Sequence, residues 1–90
     1  MATVEIYTKD YCPYCVRAKA LLAQKSASYS SLKVQEIKID GDMALREAMI
    51  ARSKGSFTVP QIFIGDIYVG GFDDLRKSDL SGELEKILVG

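Results

Sequence analysis

The stretch TVEIYTKDYCPYCVRAKALLAQK, residues 3–25, changes from one structural period to another within a few positions. Its beginning, Thr3–Thr8, is rich in β-branched and aromatic residues, which is typical of a strand. Pro13 fits the first position of a helix, where the N–H that proline lacks would have no acceptor in any case. We expect this helix to run to about Lys25. Its buried face is predicted to carry Ala18, Leu21 and Leu22.

The only two cysteines of the chain, Cys12 and Cys15, stand where this strand gives way to the helix. Two intervening residues allow a disulfide to close and reopen within one helical turn, and the strand–helix context indicates thiol–disulfide redox chemistry. A structural disulfide is disfavoured because so short a loop removes little chain entropy. A zinc site normally takes four Cys or His ligands, and the chain has no histidine. Two unreactive core cysteines are the remaining alternative, which Pro13 and Tyr14 between them disfavour.

The position of Cys12 at the predicted helix start gives the two thiols different roles. Free backbone N–H groups and the positive end of the helix dipole stabilise a thiolate at that point. Lys9 and Arg17 add positive potential. Cys15 lies one turn further into the helix, where it has fewer free donors. We therefore expect Cys12 to act as the nucleophile and Cys15 as the resolving thiol.

Length and composition indicate one ordinary globular domain, residues 1–90. The chain is 48% hydrophobic and 27% charged, which is typical of neither a disordered nor a membrane-spanning protein. Its formal net charge is zero, so no nucleic-acid partner is indicated. We find no export signal, and a catalytic cysteine couple fits a reducing compartment, so the cytoplasm is the expected location.

Beyond the first helix, the periodicity predicts five further elements. Ser26–Ser31 is expected to be a loop, and Lys33–Ile39 alternates as a strand. Asp42 should cap a second helix, whose buried face is predicted to carry Leu45, Ala48 and Met49. Two short strands, Gln61–Ile64 and Ile67–Val69, are joined by a Gly65-Asp66 hairpin turn.

The last part of the chain is predicted to be helical. We expect Asp73 or Asp74 to cap this region and Gly82 to interrupt it. The residues expected to share its buried face are Leu80, Leu84, Ile87 and Leu88.

The element order is therefore β-α-β-α-β-β-α, which indicates an α/β fold. A crossover through a helix makes the first two strands parallel, and the hairpin makes the last two antiparallel. The expected result is a four-stranded mixed sheet with helices on both faces. The cysteine pair then lies at the carboxyl end of the first strand, a usual place for a site in an open α/β sheet.

Three motifs in this order resemble the glutaredoxin family: Cys12-Pro13-Tyr14-Cys15, Thr58-Val59-Pro60 and Gly70-Gly71-Phe72-Asp73-Asp74. The resemblance covers essentially the whole chain and implies a thioredoxin-like fold. The related thioredoxin pattern places Trp before the first cysteine and Gly-Pro between the pair. This chain instead has Tyr11 before the pair and no tryptophan, which favours glutaredoxins.

The resemblance implies an enzyme that uses glutathione as co-substrate, with no tightly bound cofactor and no metal. It would reduce protein disulfides and protein–glutathione mixed disulfides, and glutathione reductase would act on it only through glutathione. Pro60 matches the cis-proline of the family, which leaves the Val59 backbone free to pair with the tripeptide. Asp73 would receive its ammonium group, and Lys9 or Arg46 a carboxylate. The full implied glutathione site is Lys9, Tyr14, Arg46, Thr58, Val59, Pro60, Gly71, Phe72 and Asp73. We expect a monomer.

Some positions depart from the family pattern. The stretch Ser26–Gln35 is longer and richer in serine, Phe57 stands where a basic residue is common, and Phe72 where a smaller one is. These departures bear on glutathione affinity. An alternative function is also kept, in which Cys12 and glutathione hold an iron–sulfur cluster between two subunits. The stiff Pro13 disfavours it.

Overall fold

The computed structural model describes residues 3–29 and 31–89. Its eight elements are β1 (Thr3–Thr8), α1 (Pro13–Ser28), β2 (Lys33–Lys38), α2 (Met43–Arg52), β3 (Gln61–Ile64), β4 (Ile67–Gly70), α3 (Phe72–Ser81) and α4 (Glu83–Val89). The predicted order is confirmed, with the last helical region divided in two.

The four strands form one mixed sheet in the order β2-β1-β3-β4. Strand β1 is parallel to β2, with Thr3 opposite Lys33, and antiparallel to β3, with Ile6 opposite Ile62. Strands β3 and β4 form the expected antiparallel hairpin. The predicted four-stranded mixed sheet is therefore confirmed. β2 and β4 are the outer strands, and most side chains of β2 are exposed.

Helices cover both faces of the sheet, as predicted. On one face, α1, α3 and α4 pack against β1 and β3 around a larger apolar cluster. This larger cluster consists of Val4, Ile6, Ala18, Leu22, Leu32, Ile62, Ile64, Leu75, Leu84 and Leu88. On the other face, α2 covers a smaller cluster that consists of Tyr7, Ile39, Met49 and Phe63. Burial of these side chains is the main force that holds the layers together.

Helix α1 continues to Ser28, so the prediction of a loop from Ser26 was wrong for its first three residues. Contacts from the last turn explain the extension. The Lys25 ammonium lies between the carboxylates of Asp79 in α3 and Glu85 in α4, and these hydrogen bonds raise the pKa of Lys25. Tyr29, just beyond the helix, packs against the larger cluster. Ser30, also part of the predicted loop, lies outside the described residues.

The C-terminal helices depart from the prediction in two ways. Gly82 does separate two helices, as expected, but the change of direction leaves Leu80 74% exposed, so its predicted burial was wrong. The N-cap of α3 is Gly71, since Phe72 already has helical geometry, and neither Asp73 nor Asp74 occupies the cap.

Three smaller differences concern the other elements. Ala48 was expected in the core but is exposed. Met49 is the one fully buried residue of α2. Strand β2 ends one residue earlier than predicted, at Lys38, and β4 continues to Gly70. No helix within residues 3–29 and 31–89 has both the length and the apolarity needed to span a membrane.

Candidate active site

The two cysteines form a disulfide at the start of α1, with their Cα atoms 5.2 Å apart. Cys12 is the N-cap residue, in extended conformation (φ −114°, ψ 102°), and Pro13 occupies the first turn of the helix. The Cys12 sulfur accepts a hydrogen bond from the backbone N–H of Cys15 at 3.2 Å. Cys15 is only 1% exposed, whereas Cys12 is half-buried. The sulfur of Cys12 is therefore the one that faces both a substrate and the donors of the helix terminus.

The loop that leads from β1 to Cys12 is fixed by polar contacts with the end of β2. The backbone N–H of Asp10 donates to the Asp40 carboxylate at 3.0 and 3.2 Å. The Lys38 ammonium lies 2.7 Å from the Asp10 carboxylate, which raises the pKa of Lys38. Tyr11 then takes a positive φ of 56°, and its side chain is fully exposed. These contacts define where the chain turns into α1 and so where the Cys12 sulfur points.

A cleft of about 340 Å³ opens on one side of Cys12. It is lined by Tyr14 of α1, by the loop before β3, and by the start of α3: Tyr14, Thr58, Val59, Pro60, Gly71, Phe72, Asp73 and Asp74. The Val59–Pro60 peptide bond is cis. The carbonyl oxygen of Val59 lies 3.8 Å from the Cys12 sulfur. Sheet pairing of β3 with β1 begins only at Gln61, so the Val59 backbone is not part of the ladder.

The far wall of this cleft depends on a close contact between Gly70 and Asp74. Gly70 has φ +115°, and a Cβ atom on it would lie 2.4 Å from Asp74 Oδ2. That same oxygen accepts a hydrogen bond from the Gly71 N–H at 3.1 Å. The Gly71 N–H is thus already engaged. The first N–H groups of a helix have no intrahelical acceptor, so Phe72 and Asp73 present the backbone donors at this wall.

Aromatic side chains form the outer rim of the cleft. The rings of Tyr14 and Phe72 lie 6.2 Å apart between centroids, and the Arg17 guanidinium lies 5.3 Å from the Tyr14 ring on its own helix. Tyr14 remains exposed, so this contact leaves one ring face accessible. The bulky Phe72, unusual in the sequence pattern, therefore narrows the rim by packing against Tyr14.

Lys9 lies in a second cleft, of about 540 Å³, which both cysteines help to line. This cleft is also lined by Lys19, Lys38 and Asp10, so lysines outnumber carboxylates in its wall, and Cys12 forms part of it. Arg46 lines neither cleft. The structure thus brings the residues of the predicted tripeptide site together around the first cleft, except for Lys9 and Arg46.

Beneath the second cleft, the end of β1 is tied to β2 and α1. The buried hydroxyl of Thr8 donates to Glu36 at 2.6 Å, and the Lys19 ammonium lies 3.0 Å from the same carboxylate oxygen. The Thr8 hydrogen bond, and next the one from Lys19, lower the pKa of Glu36. This contact holds Lys19 at the edge of the cleft.

Among the residues that the structure describes, Asp74 is the one lining residue of the first cleft that the sequence-based site left out. The signal for it was present: an acidic residue three positions after an N-cap commonly reaches back to the N–H of the cap residue. Gly71 and Asp74 have this spacing. Asp74 was predicted only as a possible N-cap, and its place in the cleft wall was missed.

A disulfide-forming cysteine pair at a helix N-terminus, at the carboxyl end of a strand in this sheet, defines a thiol–disulfide oxidoreductase of thioredoxin-like fold. The family model described as Glutaredoxin matches residues 4–69. The chain is 56% identical over 88 residues to Glutaredoxin 3 of Escherichia coli (strain K12), which covers 98% of this chain and 99% of that protein. It is 49% identical to Glutaredoxin of Pseudomonas aeruginosa, with 98% of each chain covered.

Solved structures agree with these relatives. The glutaredoxin from Brucella melitensis in solution has a TM-score of 0.79 at 45% identity, over 98% of this chain and 89% of that one. A crystal structure of a buckwheat glutaredoxin–glutathione complex has a TM-score of 0.81 at 31% identity, over 98% of this chain and 77% of that one. The chain belongs to the glutaredoxin family. It is an oxidoreductase of the glutaredoxin type, and the predicted family and fold are confirmed.

Proposed function

We propose that this protein reduces protein–glutathione mixed disulfides and protein disulfides with glutathione as the electron donor. The observation that carries the proposal is the Cys12 sulfur, which accepts a helix N–H and lies 3.8 Å from the unpaired Val59 backbone at one cleft. A backbone strand edge beside a reactive sulfur suits an extended peptide that carries a cysteine. The buckwheat relative crystallised with glutathione supports the identity of that peptide.

In the route through one thiol, the Cys12 thiolate attacks the glutathione sulfur of a mixed disulfide. The old S–S bond breaks, and the protein substrate leaves as a thiolate that takes a proton from water. The thiolate of a second glutathione then attacks the sulfur of the bound glutathione. This step releases oxidised glutathione and restores the Cys12 thiolate. The helix N-terminus stabilises the anion in the attacking state and in the leaving state alike.

In the route through two thiols, Cys12 attacks a protein disulfide and forms a mixed disulfide with the substrate. Cys15 loses its proton and attacks the Cys12 sulfur, which expels the second substrate thiolate and leaves the Cys12–Cys15 disulfide. Two glutathione molecules then supply the two electrons that reduce it. The Cα separation of 5.2 Å in the oxidised pair lies within the range that is usual for a disulfide.

The charges around the clefts fit a tripeptide with two carboxylates and one ammonium group. Val59 would pair with its cysteinyl residue through the backbone. The N–H groups of Phe72 and Asp73, at the start of α3, would receive the γ-glutamyl carboxylate, since helix N-termini bind anions. The Asp73 carboxylate would receive the ammonium. Lys9, in the second cleft beside the cysteine pair, would receive the glycyl carboxylate. Arg46, which lines neither cleft, is the second candidate for this carboxylate.

Two serine variants test the proposal in an assay that couples glutathione and glutathione reductase to a small mixed disulfide. Cys12→Ser should abolish turnover, because the nucleophile is lost. Cys15→Ser is the matched control: it should keep mixed-disulfide turnover but lose reduction of protein disulfides that need two thiols. Full activity of Cys12→Ser would overturn the assigned roles. Turnover of the wild-type protein with thioredoxin reductase and none with glutathione would overturn the glutathione dependence.

Three companion expectations accompany this function. We propose that residues 1–90 act as one domain, supported by the two apolar clusters that share a single sheet. We propose a monomer in the cytoplasm, where glutathione keeps thiols reduced. Visible absorbance and a brown colour after anaerobic purification would instead support an iron–sulfur cluster held by Cys12 and glutathione in a dimer.

A further inference from the structure

A chain of side-chain hydrogen bonds leads from the outer strand β4 to the wall of the first cleft. The Tyr68 hydroxyl donates to Gln61 Oε1 at 2.6 Å, and Gln61 Nε2 donates to Thr58 Oγ1 at 3.3 Å. Gln61 is the middle member and is only 3% exposed, although glutamine is usually a surface residue. Thr58 lies in the cleft wall next to Val59.

The orientation of the Gln61 amide gives the hydrogen bonds one direction. Its oxygen accepts from the Tyr68 hydroxyl, and its NH₂ group donates to the Thr58 oxygen. As the Thr58 oxygen accepts this bond, its own hydroxyl hydrogen is left for another acceptor.

Aromatic packing holds the first member of the chain in place. The Tyr68 ring stacks on Phe63 with centroids 5.0 Å apart, and the Arg52 guanidinium lies 4.0 Å from the centre of the Phe63 ring. Phe63 itself belongs to the smaller apolar cluster under α2. Tyr68 thus has little freedom to turn its hydroxyl away from Gln61.

We propose that Tyr68 and Gln61 are positioning residues that make the Thr58 hydroxyl a hydrogen-bond donor to glutathione bound in the first cleft. This inference rests on the proposed function, since it takes an oxygen of the tripeptide as the acceptor. A donor with a fixed direction favours a ligand oxygen at that point of the cleft. Thr58 itself is exposed, and the buried Gln61 amide that fixes its direction is shielded from water. The acceptor chemistry is a carboxylate or a peptide carbonyl.

Gln61→Glu reverses the direction of the hydrogen bond between residues 61 and 58, and it is the decisive variant. A carboxylate accepts from both the Tyr68 and the Thr58 hydroxyls, so the Thr58 hydrogen turns away from the cleft. The KM for a glutathionylated substrate should rise about tenfold with a much smaller change in kcat, because a bond to the bound tripeptide is lost. Tyr68→Phe releases the Gln61 amide and should raise KM by about threefold.

The Thr58→Val background separates this mechanism from the added negative charge. If Gln61→Glu acts through the Thr58 hydroxyl, it should raise KM no further once that hydroxyl is absent. An equal rise in both backgrounds would mean that the charge alone repels the substrate, and the inference would be overturned. The four proteins form a double-mutant cycle, which measures the coupling between Gln61 and Thr58 directly.

Tyr7→Phe is a matched control for Tyr68→Phe. It also removes the hydroxyl of a tyrosine that packs against Phe63. That hydroxyl lies outside the cleft and accepts a hydrogen bond from Arg52 at 3.1 Å. It should lower stability and leave KM unchanged. If Tyr68→Phe behaves in the same way, the chain only satisfies a buried amide, and the inference fails. Absence of turnover with glutathione in the wild-type protein would be a failure of the proposed function itself.

Discussion

Gly70 occupies a backbone conformation and a space that a side chain cannot share with Asp74. Its φ of +115° is strained for alanine, and an added Cβ would meet Asp74 Oδ2 at 2.4 Å. The strain costs about 1–3 kcal/mol. Rotation of the Asp74 carboxylate to make room breaks its hydrogen bond to the Gly71 N–H, which costs about 1 kcal/mol more. We predict that Gly70→Ala lowers the free energy of unfolding by about 3 kcal/mol.

This loss is measurable in urea or by heating, since it corresponds to a fall in Tm of about 12–24 °C for a domain of this size. Gly70→Ala should also raise the KM for a glutathionylated substrate, because Asp74 holds the start of α3 against the cleft. Gly55→Ala is the matched control: its φ is +95° with no atom within 4 Å of the new Cβ. It should lose only the strain and keep its KM. Equal stability and equal KM for the two variants would refute the role given to Asp74.

Two further predictions concern ion pairs away from the disulfide. The hydrogen bonds from Thr8 and Lys19 lower the pKa of Glu36 below its usual 4.5, so this carboxylate stabilises the fold above that pH and loses its effect as the pH falls through the folded-state pKa. Glu36→Gln should therefore be less stable than the wild type in urea at pH 7, and the difference should narrow as the pH falls below 4.5. A difference that does not change with pH would contradict this. Lys25, whose side chain is 19% exposed, joins three helices through its two carboxylate partners. Lys25→Met should lower the free energy of unfolding by about 1 kcal/mol, and wild-type stability should depend more on salt than that of the variant. Identical salt dependence in both proteins would show that the cluster contributes nothing.

The parts of the fold that follow from local period were predictable from sequence. β-branched and aromatic content predicted β1, alternation predicted β2, and the Gly65-Asp66 turn signal predicted the hairpin of β3 and β4. The pairing of β3 with β1 was not predictable in this way, because it depends on which apolar faces meet in three dimensions. The last turn of α1 was missed for a related reason: serines favour a loop locally, but contacts of Lys25 with distant helices extend the helix.

The candidate site shows the same division between local and long-range information. The motif residues Tyr14, Val59 and Phe72 do meet around one cleft, although their contact with glutathione stays a prediction. Lys9 is close to Cys12 in sequence but lines the second cleft and not the first, which only the folded structure shows. The buried Gln61 carried no signal at all, because glutamine in a strand is usually exposed and its partners are known only from the fold.

The outermost position of β2 has a consequence for how copies of this protein meet. An outer strand has backbone groups that can pair with a strand from another molecule, which is a common start of aggregation. Lys33, Glu36 and Lys38 place charges along this strand, so a parallel, in-register pairing of two copies would set each of these charges opposite its own kind. Replacing these three residues with threonine or valine would remove that repulsion, and we expect such a variant to be prone to fibrous self-association.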